Sequence, residues 1–383
     1  MRQAFRDWRE WRRFQAVPRA ERRIVFLSES HQDWHHFAPV VKHLTGPLGE
    51  TLLYVASDQK DEGLRQDPAR VRPFCVGQGL ARIWFCQFLD ADVLVTQILD
   101  LGNLQLKRSI HQVHYVHQMH SLVSTHRTDH ANSYDHYDTI LCGGPHHVAE
   151  IRRREELKGL PAKQLVPHGY GRVDELLAQG REPPPPGPIH VLLAPSWGPD
   201  SILPVCGLAL TTTLLEAGFR VTLRPHFQTR WTTPEVIDRI VAACRDRPGF
   251  RLVEQMGESD SLFDSHLMIS DWSGAALDYG LGLEKPVLFI DVPPKARNDE
   301  WPALGIEPFE SLARGRLGAV LHPDRIADAP DTIRRLVGDR AGFRQAMQAL
   351  RDGSIFNVGR SGVAGAEAIQ HIALQVAGRS DGG

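Results

Sequence analysis

Between Val113 and His126 the chain reads VHYVHQMHSLVSTH. His114, His117, His120 and His126, with neighbouring His111, set five imidazoles around one apolar run. Imidazole can hold a metal or move a proton near neutral pH. A spacing of three would gather His114, His117 and His120 on one helical face, but Val113–Met119 reads as a strand, where alternate residues point to opposite sides. Residues 114, 116, 118 and 120 then share one side and His117 faces the other. No carboxylate lies between His111 and His126 and no H-E-x-x-H occurs, so the pattern argues against a metal site. It favours a neutral histidine at the strand end that takes a proton from a hydroxyl. His120 closes the strand and opens the polar run, which makes it the candidate base; Ser121 and His126 are candidate donor or acceptor contacts.

Three further stretches carry anion chemistry. In SDWSGAALDYGLGLEKPVLF, the residues Ser270, Asp271, Trp272, Ser273 and Gly274 follow the apolar HLMI and run into a helical stretch with Asp278 and Tyr279. Such a start places hydroxyls and backbone N–H groups at the positive end of a helix dipole, although serine or aspartate there also serves as a plain cap. In TLRPHF, Arg224 and His226 lie two apart on one side of an extended chain stiffened by Pro225, a geometry for phosphoryl oxygens. LLAPSWG offers Ser196 and Trp197. All three follow candidate strands, and ligands of open parallel sheets bind beyond the carboxyl ends of strands.

The elements that must position these residues alternate short apolar strands with helical stretches, the pattern of βαβ units. Candidate strands are Arg23–Glu29, Thr51–Ser57, Ala91–Gln97, Val113–Met119, Asp138–Gly144 and a short Gln164–Gly171. GREPPPPGP at Gly180–Pro188 then interrupts everything as a stiff connector. The alternation restarts with Ile189–Trp197, Phe219–His226, Phe250–Gln255, His266–Trp272 and Lys285–Pro293, and ends in helical stretches at Asp331–Leu350 and Gly362–Val376. The expected organisation is a basic amphipathic segment at 1–22, a first Rossmann-like domain at 23–180, a linker at 181–188, and a second Rossmann-like domain with C-terminal helices at 189–383. The absence of G-x-G-x-x-G after the first strand and of a P-loop disfavours dinucleotide enzymes and P-loop NTPases.

Composition bounds the rest. The length of 383 residues suits two domains, and a formal net charge of -2 gives no bias toward nucleic acid. The five scattered cysteines lack a C-x-x-C pair, which fits a reducing cytoplasm rather than a disulfide framework. No run approaches the ~18 apolar residues of a spanning helix. The first 23 residues hold eight arginines against three acids, with Phe5, Trp8, Trp11 and Phe14 at every third position. An aromatic stripe beside arginines is the composition of an interfacial membrane helix, and equally of a terminal helix packed on its own domain.

The motifs APSW, RPHF and SDWSGAALDYGLGLEKPVLFID, with YVHQMHSLVSTH, YDHYDTILCGGPHHVAEI and GYGRVDEL, resemble the CDP-glycerol glycerophosphotransferase family, the teichoic-acid primases and polymerases. The resemblance spans Arg23 to Asp291. It implies an α/β GT-B-like fold, two Rossmann-like parallel-sheet domains facing across a cleft, the first binding the acceptor and the second the donor. It places His120 as base, Arg224 and His226 at the transferred phosphoryl group, and Ser270, Asp271, Ser273 and Gly274 at the donor phosphates, with Ser196 nearby. Ser121 replaces the family's glycine, Phe227 its last proline, and Trp272, Ser273 and Gly274 its Tyr-Ser-Ser; a lysine after the His-Gly pair is missing. The implied reaction moves glycerol phosphate, or a related alditol phosphate, from CDP-glycerol to a polymer or lipid-linked hydroxyl in wall, teichoic-acid or capsule synthesis, releasing CMP without metal or cofactor. The implied place is the cytoplasm, peripheral on the inner face of the membrane. A GT-B glycosyltransferase using a nucleotide-sugar is the alternative. A UDP-sugar 2-epimerase shares the facing halves but calls for carboxylates lining the cleft, where the sequence offers histidines. A non-catalytic binding protein is the remaining rival.

Overall fold

The computed structural model describes residues 2–99, 101–102, 106–179, 186–253 and 260–380. The first sheet has strands β1 (Ile24–Ser28), β2 (Leu52–Ala56), β3 (Val71–Cys75), β4 (Val93–Thr96), β5 (His114–Gln118), β6 (Thr139–Cys142) and β7 (Gln164–Pro167) in the order β3-β2-β1-β4-β5-β6-β7. The second has β8 (His190–Leu193), β9 (Arg220–Leu223), β10 (Phe250–Leu252), β11 (Leu267–Ser270), β12 (Val287–Ile290) and β13 (Gly318–Leu321) in the order β10-β9-β8-β11-β12-β13. Every pairing is parallel. Both sheets are doubly wound, reversing direction between β1 and β4 and between β8 and β11. The expected α/β fold of two Rossmann-like domains is the observed one.

The central strands are buried along their whole length, as parallel strands covered by helices on both faces must be. Two strands, both at sheet edges, escaped the sequence reading. β3 carries Arg72 and Pro73 inside it, and β13 is a four-residue run, Gly318–Leu321, in which Leu321 alone is buried. Most of the connector, 180–185, lies outside the described residues, as do Glu254 and Gln255 of the strand expected at Phe250–Gln255.

Helices near both ends of the chain pack on the first domain. The helix Arg2–Gln15 packs on the first domain. Phe14 is buried against Phe74 and Phe85, and the helix lies along edge strand β3. The final helix, Ser361–Ser380, does not stay with the second domain. It lies on the helix Trp34–Thr45, and its Ala366, Ile369, Ile372 and Ala373 complete the core beneath β1, β2 and β4. Among the described residues, no helix is long and apolar enough to cross a membrane.

Candidate active site

The carboxyl ends of both sheets face a cleft of about 960 Å³. One wall comes from the loops after β1, β5 and β7; the other comes from the loops after β8, β9, β11 and β12. The walls meet at Gly274, where an added Cβ would lie 3.1 Å from Ser121 Oγ.

The second-domain wall is organised by Asp271. This buried carboxylate accepts backbone N–H bonds from Ser196 (2.7 Å), Trp272 (2.8 Å) and Ile202 (3.2 Å), while Ser270 Oγ donates to Ala194 O at 2.7 Å. The loops after β8 and β11 are thereby pinned together at the switch point. Ser273 caps the helix Gly274–Leu283, its Oγ accepting from Ala275 N–H, and that helix start faces the cleft. Beside it, Arg224 and His226 follow β9. His226 Nδ1 accepts from Gln228 N–H at 3.1 Å, which leaves the ring proton on Nε2 as a donor. Burial, then Lys295 and Arg297, push His226 down to about 4, so the ring is neutral. Lys295 sits over the Trp197 ring, 3.0 Å from its centroid, and burial beside Arg297 lowers it to about 8. The wall therefore gathers three cationic side chains, one neutral N–H donor and a helix N-terminus.

On the facing wall, burial and the neighbouring His147 and His35 lower His120 to about 4, and its Nδ1 has no partner among the described residues. Its ring lies 6.0 Å from that of His36, which stacks on Tyr170; the Tyr170 hydroxyl donates to His120 O at 3.2 Å. Two carboxyls complete this region. Burial raises Asp278 to about 6, against the pull of Arg172, and it lies 3.5 Å from the Tyr170 hydroxyl. Burial likewise raises Asp129 to about 6, and Tyr134 donates to it at 2.5 Å.

The loop that follows His120 is clamped into the second domain. Glu310, on the helix Phe309–Leu317, accepts from Ser124 N–H (2.8 Å), Ser124 Oγ (2.9 Å) and Arg127 (2.8 Å), all buried. Arg127 also lies on the Trp272 ring at 4.4 Å, with Arg314 4.0 Å from the same ring. His120 is thus held opposite the Ser273 helix by contacts that neither domain makes alone.

Of the residues singled out in the sequence, His120, Ser121, Ser196, Arg224, His226, Ser273 and Gly274 line the cleft. Ser270 and Asp271 spend their side chains on backbone groups within the protein. His126 is buried away from the cleft, its Nε2 3.1 Å from Ile306 O and its Nδ1 3.4 Å from Glu150. The other histidines of the opening cluster part ways: His114 bonds Thr139 Oγ1, and His117 packs between Tyr134 and Tyr137. Sequence reading missed Asp129, Asp278, Tyr170, His36, Lys295 and Arg297. It also erred in denying the cleft carboxylates, since Asp129, Asp278 and Glu175 all line it. Asp278 was in view, one helical turn past Gly274, but an isolated aspartate on a helix gives no sign of which way it faces.

No family model matches the chain, and no curated protein matches it. Solved structures do. The UDP-GlcNAc 2-epimerase of Neisseria meningitidis, bound to UDP-GlcNAc, aligns over 91% of this chain and 99% of its own at 12% identity and a TM-score of 0.58. The UDP-GlcNAc 2-epimerase of Methanocaldococcus jannaschii, in complex with UDP-GlcNAc and UDP, aligns over 92% and 99% at 9% identity and 0.53. A glycosyltransferase of Rickettsia africae aligns over 91% and 98% at 10% identity and 0.56. These likenesses establish the two-domain GT-B-type fold. They overturn the resemblance to CDP-glycerol glycerophosphotransferases, and with it the CDP-glycerol donor, the glycerophosphate transfer and the teichoic-acid or capsule assignment. The motifs behind that resemblance are short and sit at strand ends. A strand, a Ser or Asp cap and a helix start recur wherever a doubly wound sheet binds phosphate.

Proposed function

We propose that the cleft binds a nucleoside-diphosphate sugar, with UDP-GlcNAc the first candidate, and transfers the sugar to an acceptor hydroxyl. The observation that carries this reading is the pairing of a cationic wall with a buried neutral histidine across one cleft. The diphosphate lies against Arg224, Lys295, Arg297, His226 Nε2–H and the Ser273 helix start, with Ser196 at the rim. The second domain holds the donor and the first the acceptor. As the acceptor oxygen bonds to the anomeric carbon, its proton passes to His120. The bond from that carbon to the β-phosphate oxygen breaks, and the nucleoside diphosphate leaves with the electron pair, its charge met by the cationic wall. His120 is a weak base in the empty cleft; two phosphate charges entering it raise its proton affinity. The five cysteines are all free thiols and four are buried, consistent with a cytoplasmic enzyme, where nucleotide-sugars are made.

A second reading, 2-epimerisation, is favoured by Asp129 and Asp278, two carboxyls poised near neutral pH for removing and returning a proton at carbon. It is also the activity of the Neisseria and Methanocaldococcus enzymes. One experiment separates the readings: incubation with UDP-GlcNAc in deuterated water, followed by NMR. Epimerisation inverts C2 and places deuterium there, without acceptor. Transfer releases UDP only when an acceptor is supplied and leaves C2 protonated. Absence of binding by any UDP-, GDP- or CDP-sugar in calorimetry sinks both.

A further inference from the structure

We infer that the outer edge of the first domain docks on an anionic phospholipid bilayer. The surface is built by the helices Arg2–Gln15 and Leu80–Phe88. It exposes Phe5 (76%), Leu80 (64%), Trp84 (44%) and Ile110 (65%), large apolar side chains that a soluble surface does not need. They form one patch. Phe5 and Trp8 are a turn apart, Trp8 meets Trp84 at 5.8 Å, and Leu80 precedes Trp84 by one turn. Ile110 joins at the far end, where its N–H donates to Gln87 O at 3.0 Å.

The exposure is not a by-product of folding the helix. Its opposite face, with Phe14, already supplies the packing that holds it on the domain. The charge pattern selects the occupant. The helix carries five arginines against two acids, and one of those acids, Asp7, is buried. Arg9 and Arg12 follow Phe5 at the intervals that keep them on its face, both exposed. Aromatic and aliphatic side chains flanked by guanidinium groups match the boundary between acyl chains and phosphate headgroups. The patch also has a useful place. The helix Leu80–Phe88 starts at the carboxyl edge of the sheet, and Arg82 bonds Glu29 in the loop after β1, so the apolar edge reaches the cleft side of the domain.

Docking stands independently of the nucleotide-sugar reading. Only its corollary, that the acceptor hydroxyl is borne by a lipid, rests on it. The test is co-sedimentation of the full chain with phosphatidylglycerol–phosphatidylcholine vesicles and with pure phosphatidylcholine, without any substrate. The chain is expected to bind the anionic vesicles at least about tenfold more tightly. Phe5→Ser with Leu80→Ser, and separately Arg9→Ser with Arg12→Ser, should each lower that binding about tenfold while circular dichroism stays native, since all four side chains are exposed. Wild-type chain left in the supernatant overturns the inference, as does undiminished binding by both double variants. Light scattering that finds a dimer dissolved by Phe5→Ser overturns it too, because the patch would then be covered by a second copy. Failure here with nucleotide-sugar binding intact leaves the proposed function standing.

Discussion

Glu310→Ala should cost more than an ordinary surface substitution and should cost it at the domain junction. The carboxylate holds Ser124 through two bonds and Arg127 through a third, with both ionic partners buried. Removing it strands the Arg127 charge, a loss of about 3–5 kcal/mol for a broken buried pair. The lower half of that range applies, because Arg127 keeps the Trp272 ring and Ser311 Oγ at 3.2 Å. The freed Ser124 N–H adds about 1–3 kcal/mol unless water reaches it. A net loss of about 3–7 kcal/mol follows, at the low end where water reaches Ser124, with Glu310→Gln intermediate. Urea unfolding followed by tryptophan fluorescence reads it, since Trp272 and Trp301 flank Arg127. A double-mutant cycle with Arg127→Met should give a coupling of about 1–3 kcal/mol. A loss below about 1 kcal/mol, with no coupling, would show that the loop after β5 holds its place without the clamp and would refute the argument.

Gly274→Ala should weaken UDP-GlcNAc binding several-fold by pressing on Ser121 Oγ, and Ser121→Gly should restore it; calorimetry on the four proteins checks the pair. His226→Phe keeps the ring stacked near Trp197 but removes the Nε2–H donor and the Nδ1 cap on Gln228 N–H, so UDP affinity should fall about tenfold at a cost of about 1 kcal/mol in stability, and an unchanged affinity would remove His226 from the phosphate site. Stability should decline as pH falls from about 6.5 toward 4. His120, His168 and His226 sit near 4 when folded against 6.5 unfolded, so the unfolded chain binds more protons across that window. Asp129 and Asp278, raised to about 6, work in the opposite sense, losing stability as pH rises from about 4 to about 6, but the histidines outnumber them. Melting temperatures across that range test the sign, and His168→Leu, outside the cleft, should flatten the slope. Asp278→Asn should abolish deuterium incorporation at C2 if epimerisation is the activity and leave acceptor-dependent UDP release measurable if transfer is.

Much of this architecture was legible in the sequence because parallel strands buried on both faces write themselves as apolar runs, and the polar residues after them mark the strand ends that face a cleft. That logic found His120, Arg224, His226 and Ser273. It misplaced His126, since a histidine six residues beyond a strand end can turn into the core as easily as toward a ligand. It missed Asp129 and Asp278 because the direction of a loop or helix carboxylate depends on the packing of the other domain. Lys295 and Arg297 lay in a polar stretch after β12 without periodicity or motif. The family resemblance failed for a related reason: short motifs at strand ends report how a doubly wound sheet holds phosphate, and many donors share that chemistry.

The return of the last helix to the first sheet has a consequence for how the protein is made. A ribosome releases the N-terminal domain's strands long before it has synthesised Ser361–Ser380, yet Ile369 and Ile372 are buried beneath β1 and β2 and together are worth about 3–6 kcal/mol of apolar burial. Until that helix has been synthesised, the nascent sheet carries an uncovered apolar face. A chain stopped before residue 361 should therefore accumulate in aggregates or on chaperones even with both sheets complete, and the first half should acquire protease resistance only after the helix Ser361–Ser380 emerges.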